Sequence, residues 1–150
     1  MKNVLFGLLA VLAVVTVQAQ ADPASWKFSS KKVGDKAYEV QMVATLQSGW
    51  HLYSQQQPQG AIAYPTKIDF TNNPLVVRTG SVKEVGKMQK AHDATTNSTA
   101  YQYGNTVTFV QKITLKANAK TALSGTVEYQ TCDDKKCLPP KKIVFNIPLG

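Results

Sequence analysis

Arginine is nearly absent from this sequence, which has only Arg78 among its 17 basic residues. The lysines are scattered apart from a few short pairs, whereas nucleic-acid sites usually cluster their charge and use arginine for base contacts. The formal net charge of +8 therefore indicates a soluble chain with mild attraction to acidic partners or membrane surfaces. We expect no nucleic-acid partner.

The sequence also lacks the common signatures of hydrolases and of metal sites. It has no G-x-S-x-G motif, and its nine carboxylates form no evident catalytic pair. His51 and His92 could join the two cysteines in a zinc or copper site, but the cysteines are spaced more widely than in zinc fingers. We therefore expect no metal and no other cofactor.

A helical apolar stripe is missing from the chain beyond the first 20 residues, where apolar and polar residues instead alternate with period two. The clearest alternating segments are 38–46, 107–115, 123–130 and 143–147, and shorter strand candidates are 25–30, 50–55, 66–71 and 75–86. Seven to nine short strands separated by turn signals predict an immunoglobulin-like antiparallel β-sandwich, with a closed barrel as the alternative.

The N-terminus has the pattern of a secretory signal peptide. Lys2 provides the positive charge, residues 4–17 are almost wholly apolar, and a small-residue cleavage site ends at Ala19. The apolar run is shorter than the roughly 20 residues of a membrane span, which disfavours a retained anchor. We expect residues 1–19 to be removed and residues 20–150 to form one exported or periplasmic domain.

Two segments lack clear strand character. Residues 56–65 are rich in glutamine, proline and glycine, and residues 89–105 are polar, small and unpatterned. Gly104-Asn105 adds a turn signal at the end of the second segment. We predict two loops, and a loop as long as 89–105 within a compact domain is usually functional or disordered.

The two cysteines, Cys132 and Cys137, lie between two strand candidates, with four charged residues between them. Export would place them where disulfides form, and the charged loop predicts access for other proteins. The chain is long enough to fold without a disulfide, and a ring of about six residues contributes only about 2 kcal/mol. The pair fits a redox site, while a plain stabilising bond remains the alternative.

Three segments resemble the family of N-terminal periplasmic domains of the thiol:disulfide interchange protein DsbD. The most specific is 129–140 (YQTCDDKKCLPP), which is similar to the family's active-site hairpin. The aromatic segment that contains Trp50 and Tyr53 is a second match. A third and weaker match is the stretch formed by Tyr101, Gln102, Tyr103 and Gly104, where the family has a cap loop over the cysteines.

The resemblance implies an immunoglobulin-like fold and a protein that relays reducing equivalents by thiol–disulfide exchange. Cys137 would attack the partner's disulfide and Cys132 would resolve the mixed disulfide. The implied partners are thioredoxin-like proteins and oxidised exported proteins. In the family's full-length protein a membrane electron-transfer domain and a thioredoxin-like domain follow, and we expect these parts to be separate proteins here or absent.

The implied cap differs from that of well-known family members because its stretch contains no acidic residue. Tyr101 or Tyr103 is expected to shield the cysteines, and Trp50, Tyr53, Gln102 and Gly104 complete the expected docking surface. The competing hypothesis is a non-enzymatic exported binding or assembly module with a structural disulfide.

Overall fold

The computed structural model describes residues 21–150, all of them strand, turn or irregular chain without helix. The proposed signal peptide and its cleavage site at Ala19 lie outside the described residues. The nine strands are β1 (Ala24–Lys32), β2 (Ala37–Leu46), β3 (His51–Tyr53), β4 (Lys67–Phe70), β5 (Val76–Asp93), β6 (Ser98–Leu115), β7 (Thr121–Tyr129), β8 (Thr131–Cys132) and β9 (Lys141–Leu149). Residues 21–150 contain no helix with the length and apolar character needed to cross a membrane.

The larger sheet has six strands in the order β1-β2-β6-β3-β8, and β5 pairs with the other edge of β6. All pairs are antiparallel. Strand β6 is long enough to take two partners on one side, with β2 beside residues 106–114 and β3 beside residues 102–104. Strand β3 therefore has one edge against β6, and its other edge pairs with β8, which carries Cys132.

The smaller sheet has three antiparallel strands in the order β4-β7-β9. Alternate residues of both sheets point inward because side chains on a strand alternate between its faces. The largest fully buried side chains include Met42, Phe109, Leu123, Tyr129 and Ile147. The predicted immunoglobulin-like antiparallel sandwich is confirmed.

The prediction of a loop over residues 89–105 is wrong, since β5 and β6 continue through it as a hairpin that turns at residues 94–97. The hairpin is held by backbone pairing from Met88–Tyr103 to Asp93–Ser98, and its partly exposed faces do not require alternating apolar residues. Gly104-Asn105 is likewise not a chain reversal. Asn105 has a positive φ of 59° within β6, an irregularity that asparagine tolerates.

The prediction of a loop over residues 56–65 is confirmed, because no residue of that segment belongs to a strand. The segment connects β3 to β4 and passes close to the cysteines, where Ile62 and Ala63 help to line a surface groove. Thr66 fixes its far end by donating its hydroxyl to the carbonyl of Tyr53 over 2.5 Å.

Candidate functional site

Strands β3 and β8 place the cysteines beside an aromatic pair. In the antiparallel register His51 lies directly opposite Cys132, and Leu52 lies opposite Thr131. Directly opposite residues share a face of the sheet, so His51 and Cys132 lie on one face and Tyr53, two residues along, joins them. This face is called the disulfide face below.

Cys132 and Cys137 form a disulfide bond, with an S–S distance of 2.01 Å and a Cα–Cα distance of 4.0 Å. The turn between them is held by Asp133, whose side chain accepts backbone hydrogen bonds from Lys135 and Lys136, both at 2.8 Å. These backbone hydrogen bonds lower the pKa of the Asp133 carboxyl. The tight turn brings the two ends of the C-x4-C segment together.

The base of the cysteine loop is fixed by two further hydrogen bonds. The backbone N–H of Leu138 donates to the carbonyl of Thr131 over 2.9 Å. The side-chain amide of Gln130 donates to the carbonyl of Leu138 over 3.0 Å. Residues on both sides of the cysteine pair are therefore tied together independently of the disulfide.

The two sulfur-bearing residues differ sharply in exposure. Cys132 is only 1% exposed, whereas Cys137 is exposed. The hydroxyl of Tyr53 donates a hydrogen bond to Cys132 Sγ over 3.2 Å. Burial raises the pKa of Tyr53, so this phenol keeps its proton at neutral pH and remains a donor.

His51 is the second titratable group on the disulfide face. Its ring lies edge-on to that of Tyr53, with the ring centroids 5.6 Å apart. Burial lowers the pKa of His51, and the negative charges of Asp134 and Asp133 oppose this effect without cancelling it. The imidazole is therefore predominantly neutral at pH 7 and can accept a proton.

An open groove of about 460 Å³ runs over the disulfide. Its walls come from β3, the cysteine loop, the β3–β4 connection and the far end of the β5–β6 hairpin, which contributes Ala91, His92, Asp93, Ser98, Ala100 and Gln102. Although both histidines line this groove, residues 21–150 contain no group of three or more metal-ligating side chains placed to hold an ion.

The residues expected to cap the cysteines divide between two faces. Gln102 pairs with Tyr53 and Gly104 pairs with His51, so both belong to the disulfide face, and Gln102 lines the groove. Tyr101 and Tyr103 alternate with them and lie on the opposite face of β6. Trp50, which directly precedes β3, is half-buried and does not line the groove.

The opposite face carries a hydrogen-bond network centred on Glu84 of β5. Tyr103 is 4% exposed, and its hydroxyl donates to Glu84 Oε2 over 2.7 Å. The same carboxylate accepts hydrogen bonds from the Ser54 hydroxyl and the Gln55 backbone N–H, each at 2.7 Å. Glu84 thus anchors the chain immediately after Tyr53.

From the sequence, His51 was proposed only as a possible metal ligand, and Glu84 was not identified as a functional residue. The signal for His51 was present, because strand periodicity puts it on the same face as Tyr53. No comparable signal existed for Glu84, whose partners are Ser54 and Gln55 just after β3 and Tyr103 of β6, all remote in sequence.

Comparison with protein families gives one match that covers most of the chain. The profile of the family described as thiol:disulfide interchange protein DsbD, N-terminal, matches residues 16–148. No curated protein sequence matches the chain.

Two solved structures share the fold. The N-terminal periplasmic domain of ScsB from Proteus mirabilis has a TM-score of 0.54 and 15% identity, and the match covers 88% of this chain and 48% of that chain. A structure of the complex between the DsbD N-terminal and PilB N-terminal domains from Neisseria meningitidis gives a TM-score of 0.51 and 13% identity, with coverage of 86% and 88%. This chain spans about half the length of the ScsB chain.

Proposed function

The chain belongs to the family of N-terminal domains of the thiol:disulfide interchange protein DsbD, and on this premise we propose that it exchanges thiols and disulfides with partner proteins outside the cytoplasm. The observation that carries the proposal is the unequal exposure of the two bonded cysteines. Cys137 is open to a partner, whereas Cys132 is 1% exposed. An incoming thiolate therefore has easier access to Cys137 than to Cys132.

Reduction of the domain begins when a partner thiolate attacks Cys137 Sγ. A new bond forms between the partner sulfur and Cys137, the Cys132–Cys137 bond breaks, and Cys132 leaves with the electron pair as a thiolate. Tyr53 is placed to stabilise that thiolate, because its hydroxyl already donates to Cys132 Sγ over 3.2 Å. A second partner thiol then releases Cys137, so the domain gains two electrons and the partner becomes a disulfide.

Delivery of the electrons runs in the opposite sense. The Cys137 thiolate attacks a substrate disulfide, and one substrate sulfur leaves with an electron pair. Cys132 then attacks Cys137 Sγ in the mixed disulfide, which releases the second substrate sulfur and restores the Cys132–Cys137 bond. The reaction uses only sulfur chemistry, and neither a metal nor an organic cofactor takes part.

The proposed partners are thioredoxin-like proteins and oxidised exported proteins, with a separate membrane electron-transfer protein as a source of electrons. Support comes from the complex of the related DsbD N-terminal domain with the PilB N-terminal domain. The description of the ScsB domain as periplasmic supports a location outside the cytoplasm. The part of the groove formed by β3 and the cysteine loop provides the surface on which a partner chain docks.

A trapping experiment tests the proposal. The reduced Cys132→Ala variant should form a stable mixed disulfide with oxidised glutathione through Cys137, detected by intact-mass spectrometry. The Cys137→Ala variant is the matched control and should remain largely unmodified, because Cys132 is buried. A wild-type reduction potential well below about −300 mV, with no exchange with a thioredoxin-like protein, would instead identify a structural disulfide in a binding module.

A further inference from the structure

The face that holds the disulfide contains a proton acceptor directly opposite the buried cysteine. His51 and Cys132 are cross-strand partners in the β3–β8 pair, and directly opposite Cβ atoms in antiparallel strands are about 5 Å apart. Tyr53 fixes the imidazole from one side through an edge-on ring contact. The ring and the buried sulfur therefore face the same groove, which both residues line.

Resolution of the mixed disulfide requires a deprotonated Cys132. A free thiol has a pKa near 8.5, so at neutral pH an ordinary thiol keeps its proton most of the time. Cys132 is 1% exposed, so bulk hydroxide has little access to its proton. A base held within the site removes this obstacle.

We propose that His51 accepts the proton of the Cys132 thiol when Cys132 attacks the mixed disulfide on Cys137, an assignment that rests on the proposed function. As the proton moves to the imidazole, the Cys132 sulfur bonds to Cys137 Sγ and the bond between Cys137 and the substrate breaks. The substrate sulfur leaves with the electron pair as a thiolate. The imidazolium then returns the proton to that thiolate or to water, so atoms, charge and electrons balance.

The charged groups around the His51 imidazole influence its pKa. The cysteine loop supplies two carboxylates and two ammonium groups, the tip of the β5–β6 hairpin supplies a histidine and a carboxylate, and β3 itself supplies the neutral phenol of Tyr53. These groups on the surrounding elements are Asp133, Asp134, Lys135, Lys136, His92 and Asp93. Burial outweighs the two loop carboxylates and lowers the pKa of His51, so the base is available at pH 7.

The histidine at the hairpin tip provides a matched control. His92 lines the same groove, but it lies on β5 and its Nδ1 is 3.1 Å from Thr99 Oγ1. It has no place in the β3–β8 register and is not opposite either cysteine. Substitution of His92 therefore removes one imidazole from the groove and leaves the proposed proton acceptor, His51, in place.

The experiment isolates the resolving step. Reduced full-length protein in excess is mixed with dithiobis(nitrobenzoate) at low pH, where Cys137 forms a mixed disulfide with one half of the reagent and releases the other half as a nitrothiolate. A jump to the test pH then starts the attack by Cys132, and absorbance follows the released nitrothiolate. The variants are His51→Gln, His51→Phe, which keeps a ring against Tyr53, and the control His92→Gln.

In the wild type, the release rate should rise with pH and level off above the pKa of His51, which lies below 6.5. His51→Gln and His51→Phe should slow release about tenfold or more at pH 7, and their rates should continue to rise past pH 8. His92→Gln should stay within about twofold of the wild type, because it leaves the acceptor opposite Cys132 intact.

Three outcomes overturn the assignment. One is a wild-type rate and pH profile in both His51 variants. Another is a wild-type release rate that keeps rising past pH 7 without levelling off, which decides the matter even if both variants fail to fold. In either case Cys132 still expels the nitrothiolate, and the proposed function stands. The third is absence of nitrothiolate release from wild-type Cys137, and in that case the proposed function fails as well.

Discussion

The hydroxyl of Tyr53 donates a hydrogen bond to Cys132 Sγ over 3.2 Å, across the pair formed by β3 and β8. This contact distinguishes the two sulfurs, because the hydroxyl bonds to the buried Cys132 and not to the exposed Cys137. When the bond is broken, negative charge develops on the sulfur that already has a donor in place. The contact therefore favours the reduced form with its charge on Cys132.

We expect Tyr53→Phe to lower the reduction potential of the cysteine pair. Loss of a donor to a thiolate costs roughly 1 kcal/mol of stabilisation at a partly exposed site, which corresponds to about 20 mV for a two-electron couple. Equilibrium titration against glutathione at pH 8 measures the change. Tyr64→Phe is the control, since that hydroxyl donates to Glu128. An unchanged or higher potential in Tyr53→Phe would contradict the assignment.

Access to the disulfide should depend on Gln102 and not on Tyr101. Gln102 lines the groove, so Gln102→Trp should partly fill it and slow reduction of the oxidised protein by dithiothreitol about tenfold. Tyr101 lies on the opposite face of β6, and Tyr101→Ser should leave the rate within about twofold. The reverse ranking of the two variants would show that Tyr101 shields the cysteines.

Reduction of the disulfide should leave the domain folded. A ring of about six residues contributes roughly 2 kcal/mol to the free energy of unfolding by loop entropy, and the hydrogen bonds of Gln130 and Leu138 tie the base of the loop without it. Urea titration with and without dithiothreitol measures the loss. Cys137→Ser provides the same comparison without reductant. Unfolding on reduction would mark the bond as structural.

Asp22 should make stability depend on pH. Burial raises the pKa of its carboxyl, but hydrogen bonds from Lys141 and Tyr129 lower it by more, so the net pKa lies below its usual 3.8. A lowered folded-state pKa contributes stability above pH 4 that is lost as the pH falls through the folded value. The carboxylate is partly exposed, so Asp22→Asn should cost only about 1 kcal/mol at pH 7.

Urea unfolding at pH 7 and at pH 3 tests the Asp22 prediction. The difference between the wild type and Asp22→Asn should shrink at the lower pH, because pH 3 lies below the usual carboxyl pKa of 3.8 and proton uptake there favours the unfolded chain. Asp35→Asn, at an exposed position in the β1–β2 turn, is the control and should show little difference at either pH. If the wild type and Asp22→Asn differ in free energy of unfolding by the same amount at both pH values, the charge of Asp22 does not contribute to stability.

The sandwich fold and the importance of the cysteine segment could both be predicted from the order of the residues alone. The alternation of apolar and polar residues in 38–46 and 107–115 predicts strands with one buried face, because successive side chains of a strand point to opposite faces of the sheet. The two cysteines with the residues that flank them, 129–132 and 137–140, were the most specific part of the family resemblance. These features are local, and they can be read from neighbouring positions along the chain.

Which residues lie beside the cysteines could not be predicted in this way, because it depends on how distant strands pair. Residues 89–105 form a hairpin whose long-range pairing with β5 is invisible to local periodicity. The register of β3 against β6 and β8 then assigns His51, Tyr53 and Gln102 to the disulfide face and Tyr103 to the opposite one. A shift of one residue in that register would exchange the two sets, and register depends on contacts between strands far apart in the sequence.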